Sequence, residues 1–187
     1  MRTLWIFGVL LISLACLKEK NPQNEQRDVV DLLPLDNEIS GWMRNSEMKT
    51  AENAAQLWDL IDGEGQVYVD HGFVKCAFQS YGGEVSGSQV ELHLRIFDMG
   101  GVDNAKNVYD AVGVGSETPW TDDSAGTESR IDETLLYAYR VDFWHTRFYV
   151  SLVIEDKSDA ALAIAKLFAL NVADAMAQLH SANPVAL

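Results

Sequence analysis

The sequence predicts an α+β domain: an antiparallel sheet of hairpin-linked strands packed against helices, with a long C-terminal helix on the sheet. Three observations carry this. Within 89–97, apolar residues recur at every second position from Val90 to Ile96, the period of a half-buried strand. Two more strand-like runs, 134–143 and 147–155, are joined by Trp144-His145-Thr146, a connection short enough for a hairpin and too short for a parallel crossover. From Ser158 onward, apolar residues recur at helical spacing to about His180.

The elements follow in order. Residues 17–31 are polar, bury little, and are expected to form a flexible tether, with the folded domain running from about Leu32 to residue 182 and a tail at 183–187. Thr50 is placed to cap a helix carrying Ala51, Ala54, Ala55, Trp58 and Ile61 on one face, stopped by Gly63. Residues 64–72 have a strand-like Val67-Tyr68-Val69 core, but His71 and Gly72 suit a helix end, so a short helix is expected. A strand follows over 73–81, ended by Gly82-Gly83, with Ser86-Gly87-Ser88 reading as a hairpin turn. In the next strand Val90, Leu92, Leu94 and Ile96 share one face; Glu91, His93 and Arg95 share the other.

Asp103 then caps a helix bearing Val102, Ala105, Tyr109 and Val112. Residues 113–133 read as a long loop with six acidic residues, one arginine and the single aromatic Trp120. Loops of this length are often functional, which makes Trp120, Asp122 and Asp123 candidate contacts for a partner or ligand. After the hairpin, Ser158 caps a helix whose stripe is Leu162, Ala165, Phe168, Ala169, Val172, Met176 and Leu179.

The formal charge is −14, with no basic cluster, which excludes nucleic-acid binding. Recognisable catalytic and cofactor motifs are absent: no Gly-x-Ser-x-Gly, no phosphate loop, no His-Glu-x-x-His, no Cys-x-x-Cys. His71, His93, His145 and His180 are scattered. Asp98, Asp103, Asp122 and Asp123 lack the alternating acids and central glycine of a calcium loop, so no metal site and no cofactor are expected. Cys76 alternates with Val74 and Phe78 and reads as a buried, inert thiol.

The N-terminus has one arginine, an apolar run from Leu4 to Leu14, then Ala15-Cys16, the pattern of a secretory signal spanning residues 1–15. No second segment is expected to span a membrane. Leu14-Ala15-Cys16 resembles the end of a bacterial lipobox, which implies acylation of Cys16 and anchoring to the membrane. With Leu17 rather than aspartate next, that resemblance implies the outer membrane, facing the periplasm. A plain cleaved signal or a short anchor is the alternative, and would leave Cys16 free to pair with Cys76.

Further stretches are Leu33-Pro34, Gly41-Trp42, Ile61-Asp62-Gly63, Tyr68 followed by Gly72-Phe73, and Asp98-Met99-Gly100 with Ala105. In order and spacing, they resemble an uncharacterised family of bacterial exported proteins and lipoproteins. His145-Thr146 departs from it where a turn glycine is expected. The resemblance implies export and supplies no catalytic residue. Three functions remain on the sequence: a non-catalytic, lipid-anchored envelope protein binding a partner or small ligand, an envelope hydrolase with an unrecognised site, or a structural or assembly accessory.

Overall fold

A computed structural model describes residues 28–181; Cys16 and the signal segment lie outside them. The architecture is the expected α+β one. Eight antiparallel strands form one sheet in the order β1-β3-β4-β8-β7-β6-β5, with β2 also on β3. They are β1 (Met43–Arg44), β2 (Lys49–Ala51), β3 (Lys75–Val85), β4 (Ser88–Asp98), β5 (Thr118–Pro119), β6 (Glu128–Asp132), β7 (Tyr139–His145) and β8 (Phe148–Ile154). The helices are α1 (Ala54–Ile61), α2 (Gly65–Asp70), α3 (Val102–Ala111) and α4 (Asp159–Ser181).

Strand alternation gives the sheet two buried faces. On one, Leu92, Leu94, Ile96, Val141, Phe143, Val150 and Leu152 meet Ala161, Ala165, Phe168, Ala169, Val172 and Met176 of α4. Small alanines let the helix lie close to the strands. Phe168 packs edge-on against Trp42 (centroids 5.5 Å apart) and at a tilt against Tyr81 (4.9 Å). Ser158 caps α4 as expected, its Oγ accepting from Ala161 N–H (3.2 Å). Contrary to expectation, α4 is long and apolar enough by composition to cross a membrane; here its apolar stripe is taken up by the sheet. The other face carries Cys76, Phe97, Met99, Trp144 and Tyr149 beneath α1, α2 and α3.

Several local expectations are corrected. Gly82-Gly83 does not end β3, which continues to a two-residue turn at Ser86-Gly87, both with positive φ. The glycines serve packing: a Cβ at Gly83 would collide with the Trp42 ring. Thr50 lies in β2, and Asn53 caps α1, accepting from Gln56 N–H (3.1 Å). The buried residues of α1 are Leu57 and Ile61, so Trp58 faces out, 45% exposed. Gly101 occupies the N-cap of α3; Asp103 lies in its first turn and Val102 is exposed. The 113–133 segment contains β5 and β6, because Glu128–Asp132 pairs along β7. Trp144 is a buried strand residue, and the hairpin turns at Thr146 with φ +51°. Packing begins before Leu32: Val29 is already in the core, within the segment expected to be tether.

The ambiguous 64–72 segment is a short helix. Phe73 N–H reaches Tyr68 O (3.0 Å) and Gly72 N–H reaches Val69 O (3.2 Å), with Gly72 at φ +84°. That is a Schellman ending, which needs the left-handed residue glycine supplies.

Candidate functional site

On the α1–α3 face, the strand register lays side chains in rows across the sheet. One row reads Trp144, Tyr149, Phe97, Cys76 and Ala51, and the helices cover it. The next reads Arg130, Asp142, Ser151, Arg95 and Phe78. The third reads Asp132, Arg140, Val153, His93 and Ser80. The face thus changes from apolar to charged along the strands, and the helices stop short of its polar end.

A cavity of about 490 Å³ opens over the second and third rows. Its helix side is Val67 and Tyr68 of α2, Ala111 of α3 and the following Val112. Its sheet side is His93, Arg95, Arg140, Tyr149, Ser151 and Val153. Tyr68 stacks flat on Phe97 (4.1 Å, 5°) and so fixes the height of α2 above the strands. A smaller hollow of about 230 Å³, lined by Lys49, Phe78, Gln79 and Ser80, shares His93 and Arg95 with it.

Arg140 belongs to a buried ion network. It meets Asp132 (3.0 Å), Asp142 (3.4 Å) and Glu117 (3.9 Å). Arg130 meets Asp142 (3.4 Å) and Glu117 (3.6 Å), with its guanidinium over the Tyr109 ring (4.1 Å). Burial pushes the Asp142 carboxyl up, against the pull of Arg140, Ser151, Arg130 and Tyr149. Burial also acts on Asp132, but the Thr134 hydroxyl (2.6 Å) and N–H (2.8 Å) and then Arg140 outweigh it and hold its pKa down. Glu117 is likewise lowered, since the N–H groups of Val114 (2.7 Å) and Gly115 (2.8 Å), with Arg130, outweigh its burial. Burial raises Tyr68 and Tyr149, so both keep their hydroxyl protons.

Arg95 is different. Its guanidinium lies over Phe78 (5.1 Å), and among the described residues no carboxylate, carbonyl or hydroxyl accepts a hydrogen bond from it. The other four described arginines each have oxygen partners.

His93 shares a hydrogen bond with Ser80 Oγ through Nδ1 (2.8 Å) and one with Glu155 Oε1 through Nε2 (3.1 Å). Glu91, His93 and Glu155 offer ligand atoms within 4.8 Å of one another, a donor set suited to a divalent cation. The serine, imidazole and carboxylate follow the order of a nucleophilic relay, but the strand amides beside Ser80 are committed. The Ser80 N–H goes to Ser46 Oγ (3.3 Å), and no oxyanion hole of backbone donors forms there among the described residues.

The residues singled out from sequence lie elsewhere. Trp120 is 7% exposed in the core beneath α4, donating its indole N–H to Asp122 O (2.7 Å), with Lys166 Nζ 5.0 Å from its ring. It does not protrude as an anchor. Asp122 and Asp123 are exposed turn residues. The loop reaches the cavity side through Glu117 instead. His145 pairs with Thr127 (3.1 Å) at the far end of β7 from His93's row, so the histidines do not converge. The Leu179 and His180 side chains lie outside the described ones. Arg95, Arg140 and the two tyrosines were missed as a group. Their trace in the sequence is a run of charged residues at alternate positions, Glu91-His93-Arg95, Arg130-Asp132 and Arg140-Asp142.

No family model, curated protein or solved structure matches the chain.

Proposed function

We propose that the chain is a non-catalytic, lipid-anchored envelope protein whose domain binds a small molecule in the 490 Å³ cavity. The observation that carries this is the combination of size and lining. The volume falls in the range of small-ligand sites, and aliphatic walls converge on a few fixed polar groups. Stacked Tyr68 and the buried network behind Arg140 hold that lining in place before any ligand arrives. The hydrolase reading has less support, because Ser80 lacks an oxyanion hole and the histidines sit apart.

Anchoring through acylated Cys16 is part of the same proposal. It agrees with the signal-like N-terminus and with a Cys76 that is fully buried in the sheet. Outer-membrane placement facing the periplasm follows from Leu17 and remains tied to the lipobox resemblance, as the family resemblance remains tied to its short motifs.

Two experiments test the proposal. Val153→Trp places a large ring on the cavity floor. Binding of the amphipathic dye anilinonaphthalene sulfonate to the purified protein is expected to weaken by about tenfold or more, with the circular dichroism spectrum retained. Equal binding by the folded variant would refute the cavity as the site. Cys16→Ser is expected to abolish the acyl mass and release the protein from membranes; unchanged membrane partitioning would refute the anchor.

A further inference from the structure

We infer that the ligand class of this cavity is a monocarboxylate bearing a short apolar chain, with its carboxylate held by Arg95. The inference rests on the cavity being the binding site and names what that site selects.

The chain has 28 acidic residues and 14 lysines and arginines, so a carboxylate partner for any arginine is easily supplied. Arg44 donates to Leu33 and Pro34 carbonyls, Arg147 to Asp98, and Arg130 and Arg140 share three carboxylates. Among the described residues, Arg95 has only the Phe78 ring beneath it. Phe78 supports the guanidinium and Arg95 lines the cavity, where the matching acceptor for a fork of N–H donors is a flat two-oxygen anion. The row register puts Ser151 directly across from Arg95 on the cavity wall.

Charge limits the anion to one unit. Arg140 is already met by Asp132, Asp142 and Glu117 and adds no free positive charge. Glu64 lines the cavity, and Glu91 and Glu155 flank His93 at its polar end. A dianionic phosphate would face these acids with one arginine to balance it, whereas one carboxylate is neutralised. The remaining walls, Val67, Val112 and Val153, are aliphatic and suit a hydrocarbon chain.

The test is calorimetric titration of the purified protein with octanoate, its neutral isostere octanamide, and octyl phosphate. Octanoate is expected to bind one to one and about ten- to a hundredfold more tightly than octanamide, the range for a charge-assisted pair. Arg95→Gln is expected to erase that preference, bringing octanoate down to the affinity the same variant shows for octanamide. Arg95→Lys, which keeps the charge and loses the fork, is expected to fall between. Thermal melts of both variants confirm folding. Equal affinity for octanoate and octanamide in the wild type, a preference that survives Arg95→Gln in a folded protein, or tighter binding of octyl phosphate would each overturn the carboxylate assignment and leave the cavity reading intact. Failure of all three probes, together with dye binding that ignores Val153→Trp, would overturn both.

Discussion

Replacing Asp142 by asparagine tests how the buried network is balanced. Asp142 is 1% exposed on β7, between Arg130 and Arg140, each 3.4 Å from its Oδ2. Deleting one partner of a buried ion pair usually costs about 3–5 kcal/mol, because a bare charge is left behind. Here neither arginine is left bare. Arg130 keeps Glu117 and the Tyr109 ring, and Arg140 keeps Asp132 at 3.0 Å. Asparagine also brings the two arginines and the remaining two carboxylates into balance. The expected cost of Asp142→Asn at neutral pH is therefore about 1 kcal/mol, a net hydrogen-bond difference. Arg140→Gln leaves Asp132 with Thr134 but no counter-charge and crowds Asp142 and Glu117 onto Arg130, and is expected to cost about 3–5 kcal/mol.

The pH dependence has a definite sign. Burial holds Asp142 above its ordinary value in the folded state. The unfolded chain releases this proton first, so the contribution to stability is whole below the unfolded pKa and is lost as pH rises toward the folded one. Asparagine undergoes no such loss, so the variant should gain on the wild type between about pH 4 and pH 7. Urea unfolding followed by tryptophan fluorescence at the two pH values measures both effects. A cost above about 3 kcal/mol at pH 7, or a difference that widens against the variant with rising pH, would refute this account.

Two further outcomes are expected. Burial pushes the Cys76 thiol up to about 12, so iodoacetamide at pH 8 should label it only after unfolding; labelling of the native protein would show that the sheet opens there. Phe168→Ala removes a buried ring held by Trp42 and Tyr81 and should cost about 3–5 kcal/mol, read as a lower urea midpoint with an unchanged slope.

Local patterns were legible wherever one residue or a short period decides the geometry. The alternation over 89–97, the Ser86-Gly87 turn, the Ser158 cap and the Gly72 helix ending all appear in the structure. Where a neighbour from elsewhere in the chain decides, the local reading missed. Gly82-Gly83 looked like a terminator because the approaching Trp42 ring is about forty residues away. The 128–132 strand looked like loop because its charged residues pair with partners on β7. Trp120 reads as a candidate contact within a loop because the helix that helps bury it, α4, lies about forty residues further on.

By itself, the sequence determined the α+β class, the antiparallel hairpins, the apolar face of β4 and the helix that covers it, since these follow from side-chain period and from turn residues a few positions apart. Only the tertiary structure decided the cavity. It arises where Arg95, Ser151, Arg140 and His93 come into adjacent rows from three strands, and where Tyr68 sets α2 at a fixed height above them. That Arg95 has no oxygen partner among the described residues is likewise a property of the fold, because whether a charge is paired depends on the segments that could reach it, and no local spacing records that.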